Sequence, residues 1–171
     1  YVAPNGGDYT LPAPEPRSDD KIRLVYLGNL QPSKGIEDVI EAAVILNEEH
    51  KGSFQLDVIG GWRKEQTRTY CEGLVAKHSL PVVFHPQEKS KEKFRFLRNA
   101  DIFLFPPREP EGHPWVIVEA MACGLPVIST DRGAIIESVT DGENGFIVPT
   151  KNASAIAEKA ALLINNQELR S

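Results

Sequence analysis

Short runs of apolar residues alternate with longer stretches of mixed character along most of the chain. The runs are rich in β-branched and aromatic residues, and apolar residues recur at helical spacing in the stretches that follow them. This alternation predicts six βα units, with strands at Ile22–Leu27, Phe54–Ile59, Val82–Phe84, Ile102–Phe105, Pro126–Ser129 and Gly145–Val148. Because the strands are mostly apolar, we expect helices to cover both faces of a parallel sheet.

The stretches between the strands carry the predicted helices. Apolar positions from Ile36 to Val44 follow helical spacing, and Ser33 is the predicted N-cap of this first helix. Asn152 fits both a glycosylation sequon and the N-cap of the last helix, and we favour the N-cap. Further helices are predicted around Glu65–Lys77, around Glu88–Arg98, near Trp115–Cys123 and at Ala153–Ile164, with a short helical turn after Gly133.

Together these elements predict the fold class. Right-handed crossovers give an α/β fold, a doubly wound Rossmann-like parallel sheet of about six strands with helices on both faces. Such a sheet binds ligands at the carboxyl ends of its strands.

The first twenty residues differ in composition from the rest. They hold four prolines and two adjacent glycines, which suit neither a regular helix nor a central strand. We therefore expect an interdomain linker over residues 1–20 and a globular domain over residues 21–171. Met121 is the only methionine, so we expect the chain to be a processed product or an excised fragment.

Size and charge limit the class of protein. With 171 residues, 41% of them apolar, the chain fits one globular domain. Its 19 basic and 24 acidic residues give a formal charge of -5, which argues against a surface for nucleic acid. We expect no nucleic-acid partner.

Cysteines and apolar stretches bear on location. Cys71 and Cys123 lie far apart without the paired spacing of zinc or redox motifs, which favours a reduced, cytoplasmic protein. The most apolar stretch, Val116–Ile128, is interrupted by a glutamate, a glycine and a proline, and a membrane span needs about 20 apolar residues. We expect no integral membrane segment and no signal peptide. A peripheral membrane contact through another part of the protein stays open.

The loop after the first strand is a candidate phosphate site. A helix that follows such a loop aims free N–H groups at it, Gly28 permits close backbone approach, and Lys34 offers a cation. The alternative is a tight turn followed by a solvated lysine, and this segment alone favours the alternative. The chain has neither G-x-G-x-x-G nor G-x-x-x-x-G-K-[ST], so the usual NAD-binding and ATPase loops lose their main support.

A sharper set of residues spans 111–119, with the sequence EGHPWVIVE. We expect Glu111 in the loop after the fourth strand and Glu119 in the second turn of the following helix. The helix N-terminus between them suits a phosphate, and the carboxylates suit sugar hydroxyls. Glu119 could instead be an exposed helix residue, but its apolar neighbours favour burial, and a buried acid needs a partner.

These residues carry a family resemblance. The run from Glu111 to Ile128, E-G-x-P-x-x-x-x-E-A-M-A-C-G-L-P-V-I, resembles the signature of glycosyltransferase family 4, whose members have two Rossmann-like domains in the GT-B arrangement. The resemblance covers nearly the whole chain, including Pro4-Asn5-Gly6 with Asp8, Leu27-Gly28 with Lys34-Gly35, and Asp141–Phe146. It implies that the chain is the C-terminal, nucleotide-sugar-binding domain and that the N-terminal acceptor domain lies outside it.

The resemblance also implies roles for individual residues. Glu111 would contact hydroxyls of the transferred sugar, Glu119 would hold the ribose, and Lys34 would contact the diphosphate. Glu111 and Lys34 are thus the catalytic candidates. The implied donor-binding residues are Gly28, Asn29, Lys34, Glu111, Gly112, His113, Trp115, Val116 and Glu119.

The implied reaction is transfer of a hexose from a nucleotide-diphosphate sugar to an acceptor hydroxyl, with retention of anomeric configuration. Cations and helix amides can stabilise the departing diphosphate without a metal, and no Asp-x-Asp pair is present to hold one. We therefore expect no cofactor, no metal site, and a nucleotide sugar as the partner molecule.

One departure from the family keeps alternatives open. Many relatives carry an arginine in the first turn, where this chain has Asn29. Weak diphosphate binding would favour a noncatalytic or regulatory Rossmann-like module. A sugar-nucleotide epimerase of similar architecture is a third hypothesis, which the signature between Glu111 and Glu119 disfavours.

Overall fold

The computed structural model describes residues 11–88 and 92–170. Within them, one parallel sheet has the strand order β3-β2-β1-β4-β5-β6. The strands are β1 (Ile22–Leu27), β2 (Phe54–Ile59), β3 (Val82–His85), β4 (Ile102–Phe105), β5 (Val127–Thr130) and β6 (Gly145–Val148). The predicted doubly wound α/β fold is confirmed, and four of the six predicted strands agree with the structure to the residue.

Helices cover both faces of this sheet. The α-helices are α1 (Ile36–Glu49), α2 (Glu65–His78), α3 (Glu92–Arg98), α4 (Trp115–Ala122), α5 (Ala153–Asn165) and α6 (Gln167–Arg170). Helix α1 packs against α2 and α5, whereas α3 packs against α4. Helix α6 was not predicted; its Arg170 guanidinium donates to the carbonyls of Leu163 and Ile164 at the end of α5.

Burial explains the apolar strands. Every residue of β4 and β5 is buried, as expected for central strands covered on both sides. Strand β3 lies at the edge, and its Val83 is 42% exposed. The sheet is therefore covered on both faces at its centre, where β1 and β4 meet.

The two predicted N-caps had different outcomes. Asn152 caps α5, since its Oδ1 accepts the Ala155 N–H at 3.0 Å. Ser33 is not an N-cap: α1 begins at Ile36, and Ser33 lies in a 3-10 turn, Pro32–Lys34, that precedes it. The reason is Gly35, which turns the chain at φ 76° and whose missing Cβ would lie 1.9 Å from the Pro106 carbonyl oxygen. This close packing holds Lys34 against the loop after β4.

The predicted linker is described from residue 11 onward. Residues 11–17 form no regular element, and the resemblance noted at Pro4-Asn5-Gly6 and Asp8 lies outside the described residues. Arg17 pairs with Asp101 at 2.7 Å, and the Glu15 N–H donates to Asn99 Oδ1. This part of the linker thus lies along the start of β4. The predicted division into linker and domain stays a prediction.

Two further sequence expectations concern cysteines and membrane spans. Cys71 and Cys123 are both buried free thiols. Across the described ranges, no helix has the length and apolar character to cross a membrane.

Candidate functional site

The candidate site lies where β1 and β4 are neighbours at the middle of the sheet. From β1 the chain leads to β2 on one side, and from β4 it leads to β5 on the other. The loops at the carboxyl ends of these two strands therefore diverge and leave a crevice, the usual ligand position in this fold. Lys34 follows β1 and Glu111 follows β4, so the topology brings both catalytic candidates to this crevice.

The two loops are joined by an ion pair and by a half-buried cluster of charged residues. The Lys34 ammonium group contacts Glu111 Oε1. The Arg108 N–H donates to the Ser33 carbonyl at 2.9 Å, and the Arg108 guanidinium binds both oxygens of buried Asp38. This hydrogen bonding to Asp38 raises the pKa of Arg108 above its ordinary value. The guanidinium therefore stays charged and anchors the loop after β4 to α1.

The buried side chain of Tyr26 supports the loop after β1. Its hydroxyl lies 3.2 Å from the carbonyl oxygens of both Asn29 and Lys34. Burial, and then the negative charge of Glu111, raises the pKa of Tyr26 well above its usual value, so the hydroxyl keeps its proton. One buried donor thus holds the backbone at both ends of the turn that carries the predicted phosphate ligands.

Glu111 is held on its other side by the loop after β5. Glu111 and Gly133 form an isolated parallel bridge, and the Ala134 N–H donates to the Glu111 carbonyl at 3.2 Å. Gly133 has φ 70° and ψ -136°, and a Cβ there would lie 1.8 Å from the Glu111 carbonyl oxygen. The position of Glu111 therefore depends on a glycine from a different loop.

The N-terminus of α4 is open at the predicted phosphate position. Pro114 is the N-cap residue, and no side chain caps the helix. Because the first amides of a helix have no intrahelical acceptor, those of Trp115 and Val116 are available to a ligand. Trp115 is 48% exposed and Gly112 borders open space, whereas His113 lies 3.2 Å from the Ser138 hydroxyl.

Glu119 occupies the second turn of α4 and is 5% exposed, as its apolar neighbours predicted. Its Oε1 accepts from the Lys93 ammonium group at 2.5 Å. Its Oε2 is buried without a hydrogen-bond partner in the described part of the chain. A buried carboxylate oxygen without a donor is costly, so this atom is suited to a ligand hydroxyl.

Two basic residues near the site were missed at the sequence level. Lys93, from α3, pairs with Glu119, which lies 26 positions away in sequence. Arg63, from the loop after β2, donates from Nη2 and Nε to Asn29 Oδ1 at 2.7 and 3.1 Å. No motif marks either residue, because each acquires its partner only when separate βα units pack together.

Gly28 lies where the loops after β1 and β2 pack together. Its expected close approach to a ligand stays a prediction. Here the carbonyl of Gly28 is approached by Gly60, where an added Cβ would lie 1.9 Å from that oxygen. Gly28 N–H also donates to the Ile59 carbonyl at 3.0 Å. The glycines thus let the loops after β1 and β2 pack together.

No group of three or more histidine, cysteine, aspartate or glutamate side chains gathers in a metal-binding arrangement in residues 11–88 and 92–170. The charged groups gathered at the crevice are instead lysine–glutamate pairs, Lys34 with Glu111 and Lys93 with Glu119.

The fold is that of a doubly wound α/β domain with its ligand crevice between β1 and β4, and the comparison with known families makes the class specific. The family model described as glycosyl transferases group 1 matches residues 10–171. The chain belongs to the glycosyl transferases group 1 family.

A curated relative agrees with this membership. The chain is 33% identical over 153 residues to the capsular polysaccharide biosynthesis glycosyltransferase CapM of Staphylococcus aureus. The matched part is 89% of this chain and 39% of that protein. The chain therefore spans about two fifths of the length of the curated relatives that it matches.

Solved structures share the fold. The C-terminal domain of the glycosyl transferase group 1 protein LpcC from Francisella tularensis superimposes with a TM-score of 0.83 at 24% identity, covering 96% of this chain and 91% of that one. Anabaena Alr3699/HepE, in complex with UDP and glucose, superimposes with a TM-score of 0.80 at 21% identity. It covers 88% of this chain and 41% of that one. The match to the family model confirms the predicted glycosyltransferase class at the level of the family.

Proposed function

We propose that this chain is the nucleotide-sugar-binding domain of a two-domain glycosyltransferase of family 4, whose acceptor domain lies outside the sequence. The enzyme transfers a hexose to an acceptor hydroxyl with retention of configuration. The observation that carries the proposal is the Lys34–Glu111 ion pair across the crevice between β1 and β4. It puts a cation for a diphosphate beside a carboxylate for a sugar.

Each wall of the crevice has a role in this proposal. Lys34 and the free amides at the N-terminus of α4 bind the diphosphate. The partial positive charge at this helix N-terminus strengthens the attraction for the diphosphate. Glu111 accepts hydrogen bonds from the transferred sugar. Glu119 accepts from the ribose through its unpartnered Oε2. Gly112 and His113 shape the approach to α4.

The ion pair with Glu111 is compatible with phosphate binding by Lys34. An ammonium group has three N–H donors, so Lys34 can keep Glu111 and donate to a phosphate oxygen. As the bond from sugar to phosphate breaks, negative charge grows on the departing diphosphate and the sugar becomes oxocarbenium-like. Lys34 and the α4 amides stabilise the first charge, and Glu111 stabilises the second. The proposal needs no metal for this step.

Other properties belong to the same proposal. The UDP and glucose bound to the fold neighbour Alr3699/HepE support a nucleotide sugar as the donor. We place the enzyme in the cytoplasm, with any peripheral membrane contact made outside this chain.

A donor panel tests the function. Calorimetric titration of the chain with UDP, GDP and ADP, and with the corresponding glucose and mannose nucleotides, is expected to identify at least one ligand. Addition of EDTA is expected to leave its dissociation constant unchanged. A folded sample that binds none of these compounds would falsify the proposal. Loss of affinity on addition of EDTA would contradict the proposal that donor binding needs no metal.

Replacing Lys34 by methionine is expected to weaken binding of the nucleoside diphosphate by about tenfold or more, because a charge-assisted hydrogen bond is lost. Lys51→Met is the matched control, since Lys51 is exposed in the loop between α1 and β2, at the opposite end of the sheet. Equal affinities of both variants, measured by calorimetry, would exclude Lys34 from the phosphate site.

Replacing Glu119 by glutamine is expected to reduce recognition of the ribose. The wild type should prefer a nucleoside diphosphate over its 2′,3′-dideoxy analogue, and the variant should lose about tenfold of this preference because the acceptor is no longer charged. Glu143→Gln, an exposed glutamate in the turn before β6, serves as control. An unchanged preference in Glu119→Gln would favour a noncatalytic or regulatory module.

A further inference from the structure

The loops after β1 and β2 form one unit beyond the ends of their strands. Leu30 N–H donates to the Gly61 carbonyl at 3.0 Å, and Arg63 N–H donates to the Leu30 carbonyl at 3.2 Å. Leu30 and Trp62 form a parallel bridge. Pairing of the two strands therefore continues into the loops, and it carries Arg63 to the edge of the sheet where the β1 loop begins.

This unit is closely packed. Leu30 is fully buried, and the contact of Gly60 with the Gly28 carbonyl leaves no room for a side chain. Such an arrangement limits movement of the backbone at Arg63. The position from which the Arg63 side chain starts is thus set by the fold, although the side chain itself is exposed.

The Arg63 guanidinium is oriented by a neutral group. Nη2 and Nε donate to the amide oxygen of Asn29 at 2.7 and 3.1 Å. By contrast, the guanidinium of Arg108 binds carboxylates of Glu37 and Asp38. In the described part of the chain Arg63 forms no ion pair, so its charge is not compensated, and three of its five N–H groups remain for a ligand.

Asn29 connects this guanidinium to the proposed phosphate site. The carbonyls of Asn29 and Lys34 share the Tyr26 hydroxyl, so the two residues bracket one short turn. We propose that Arg63 is a second cationic ligand of the donor's diphosphate, acting with Lys34 from the opposite side of this turn. The proposal rests on the proposed function, and it adds a binding residue from the loop after β2.

The chemistry fits a diphosphate better than a single phosphate. A guanidinium binds two phosphate oxygens at once, whereas the Lys34 ammonium acts as a point charge. Two cations from two loops can therefore contact both phosphate groups. Asn29 suits this arrangement because its oxygen orients Arg63 without neutralising it.

The test compares Arg63→Ala with Arg68→Ala. Arg68 is an exposed arginine of α2, paired with Glu72, and is the matched control. Calorimetry with UDP, GDP and ADP should show that Arg63→Ala binds the diphosphate preferred by the wild type about 10- to 100-fold more weakly. Arg68→Ala should bind it with the affinity of the wild type. Saturation-transfer NMR with the matching nucleoside should show equal binding by both variants and the wild type.

Asn29→Asp gives a second, independent variant. A carboxylate there retains the acceptor but neutralises the guanidinium, so diphosphate affinity should fall while nucleoside binding persists. A diphosphate affinity of Arg63→Ala within twofold of the wild type would overturn the inference and leave the proposed function intact. Equal losses for diphosphate and nucleoside would also overturn it, because Arg63 would then only support the loop. A wild type that binds no diphosphate contradicts the proposed function itself.

Discussion

Replacing Glu111 by glutamine is expected to separate recognition of the sugar from recognition of the nucleotide. In the proposed site the carboxylate accepts hydrogen bonds from sugar hydroxyls, and glutamine accepts fewer and weaker ones. Affinity for the nucleotide sugar should fall by about tenfold. Affinity for the nucleoside diphosphate should hold or increase, because Lys34 loses its carboxylate partner and donates more freely to phosphate.

The effect on catalysis should be larger than the effect on binding. In the proposed site Glu111 faces positive charge that develops on the sugar only in the transition state, so we expect its loss to act mainly on the rate. In a protein that combines this chain with the proposed acceptor domain, we expect hexosyl transfer to slow by about 100-fold or more. Initial rates at saturating donor measure this loss.

Glu109→Gln is the control for this prediction. Glu109 is exposed and lies two positions from Glu111 in the same loop. Its substitution should change neither binding nor rate. If Glu111→Gln lowered the affinities for nucleotide sugar and nucleoside diphosphate equally, the carboxylate would be supporting the loop and not binding the sugar.

Replacing Gly133 by alanine is expected to lower the free energy of unfolding by about 3 kcal/mol or more. The new Cβ would meet the Glu111 carbonyl oxygen at 1.8 Å and the Glu111 N and C atoms at 2.8 Å. These are backbone atoms, so no side chain can rotate away. The backbone angles at Gly133 are also ones that alanine rarely adopts.

Urea unfolding followed by circular dichroism measures this change, and Gly73→Ala is the control. Gly73 is an exposed glycine inside α2 with open space around its missing Cβ. Alanine there should raise the free energy of unfolding by about 0.5–1 kcal/mol through helix propensity. A Gly133→Ala variant as stable as the wild type would contradict the close contact between the loops after β4 and β5.

The agreement between sequence and structure is best where burial dictates the pattern. Strands Ile22–Leu27, Phe54–Ile59, Ile102–Phe105 and Gly145–Val148 were predicted to the residue, because apolar runs bounded by glycine, proline or charged residues mark buried strands clearly. Predicted boundaries were less accurate at Val82–His85 and Val127–Thr130, each by one residue at one or both ends. The edge position of the first of these makes its pattern weaker.

The sequence by itself determined the fold class, the glycosyltransferase class, and the positions of the two candidate carboxylates relative to one helix, Glu111 before α4 and Glu119 within it. Local chemistry suffices for these, since apolar periodicity and a contiguous motif are readable along the chain. Such reasoning failed at Ser33. The local sequence predicted an N-cap there, but the close contact between Gly35 and Pro106 starts the helix later, at Ile36.

Only the tertiary structure decided which polar side chains pair with each other. The pairings of Lys34 with Glu111, Lys93 with Glu119, and Arg63 with Asn29 each join residues from separate βα units. The order of the strands places the loops after β2, β1 and β4 side by side at one edge of the sheet, which brings Arg63 to Asn29 and Lys34 to Glu111. The packing of α3 against α4 brings Lys93 to Glu119. Long-range contacts of this kind leave no periodic trace in the sequence, because either partner alone is an ordinary polar residue in a loop or on a helix.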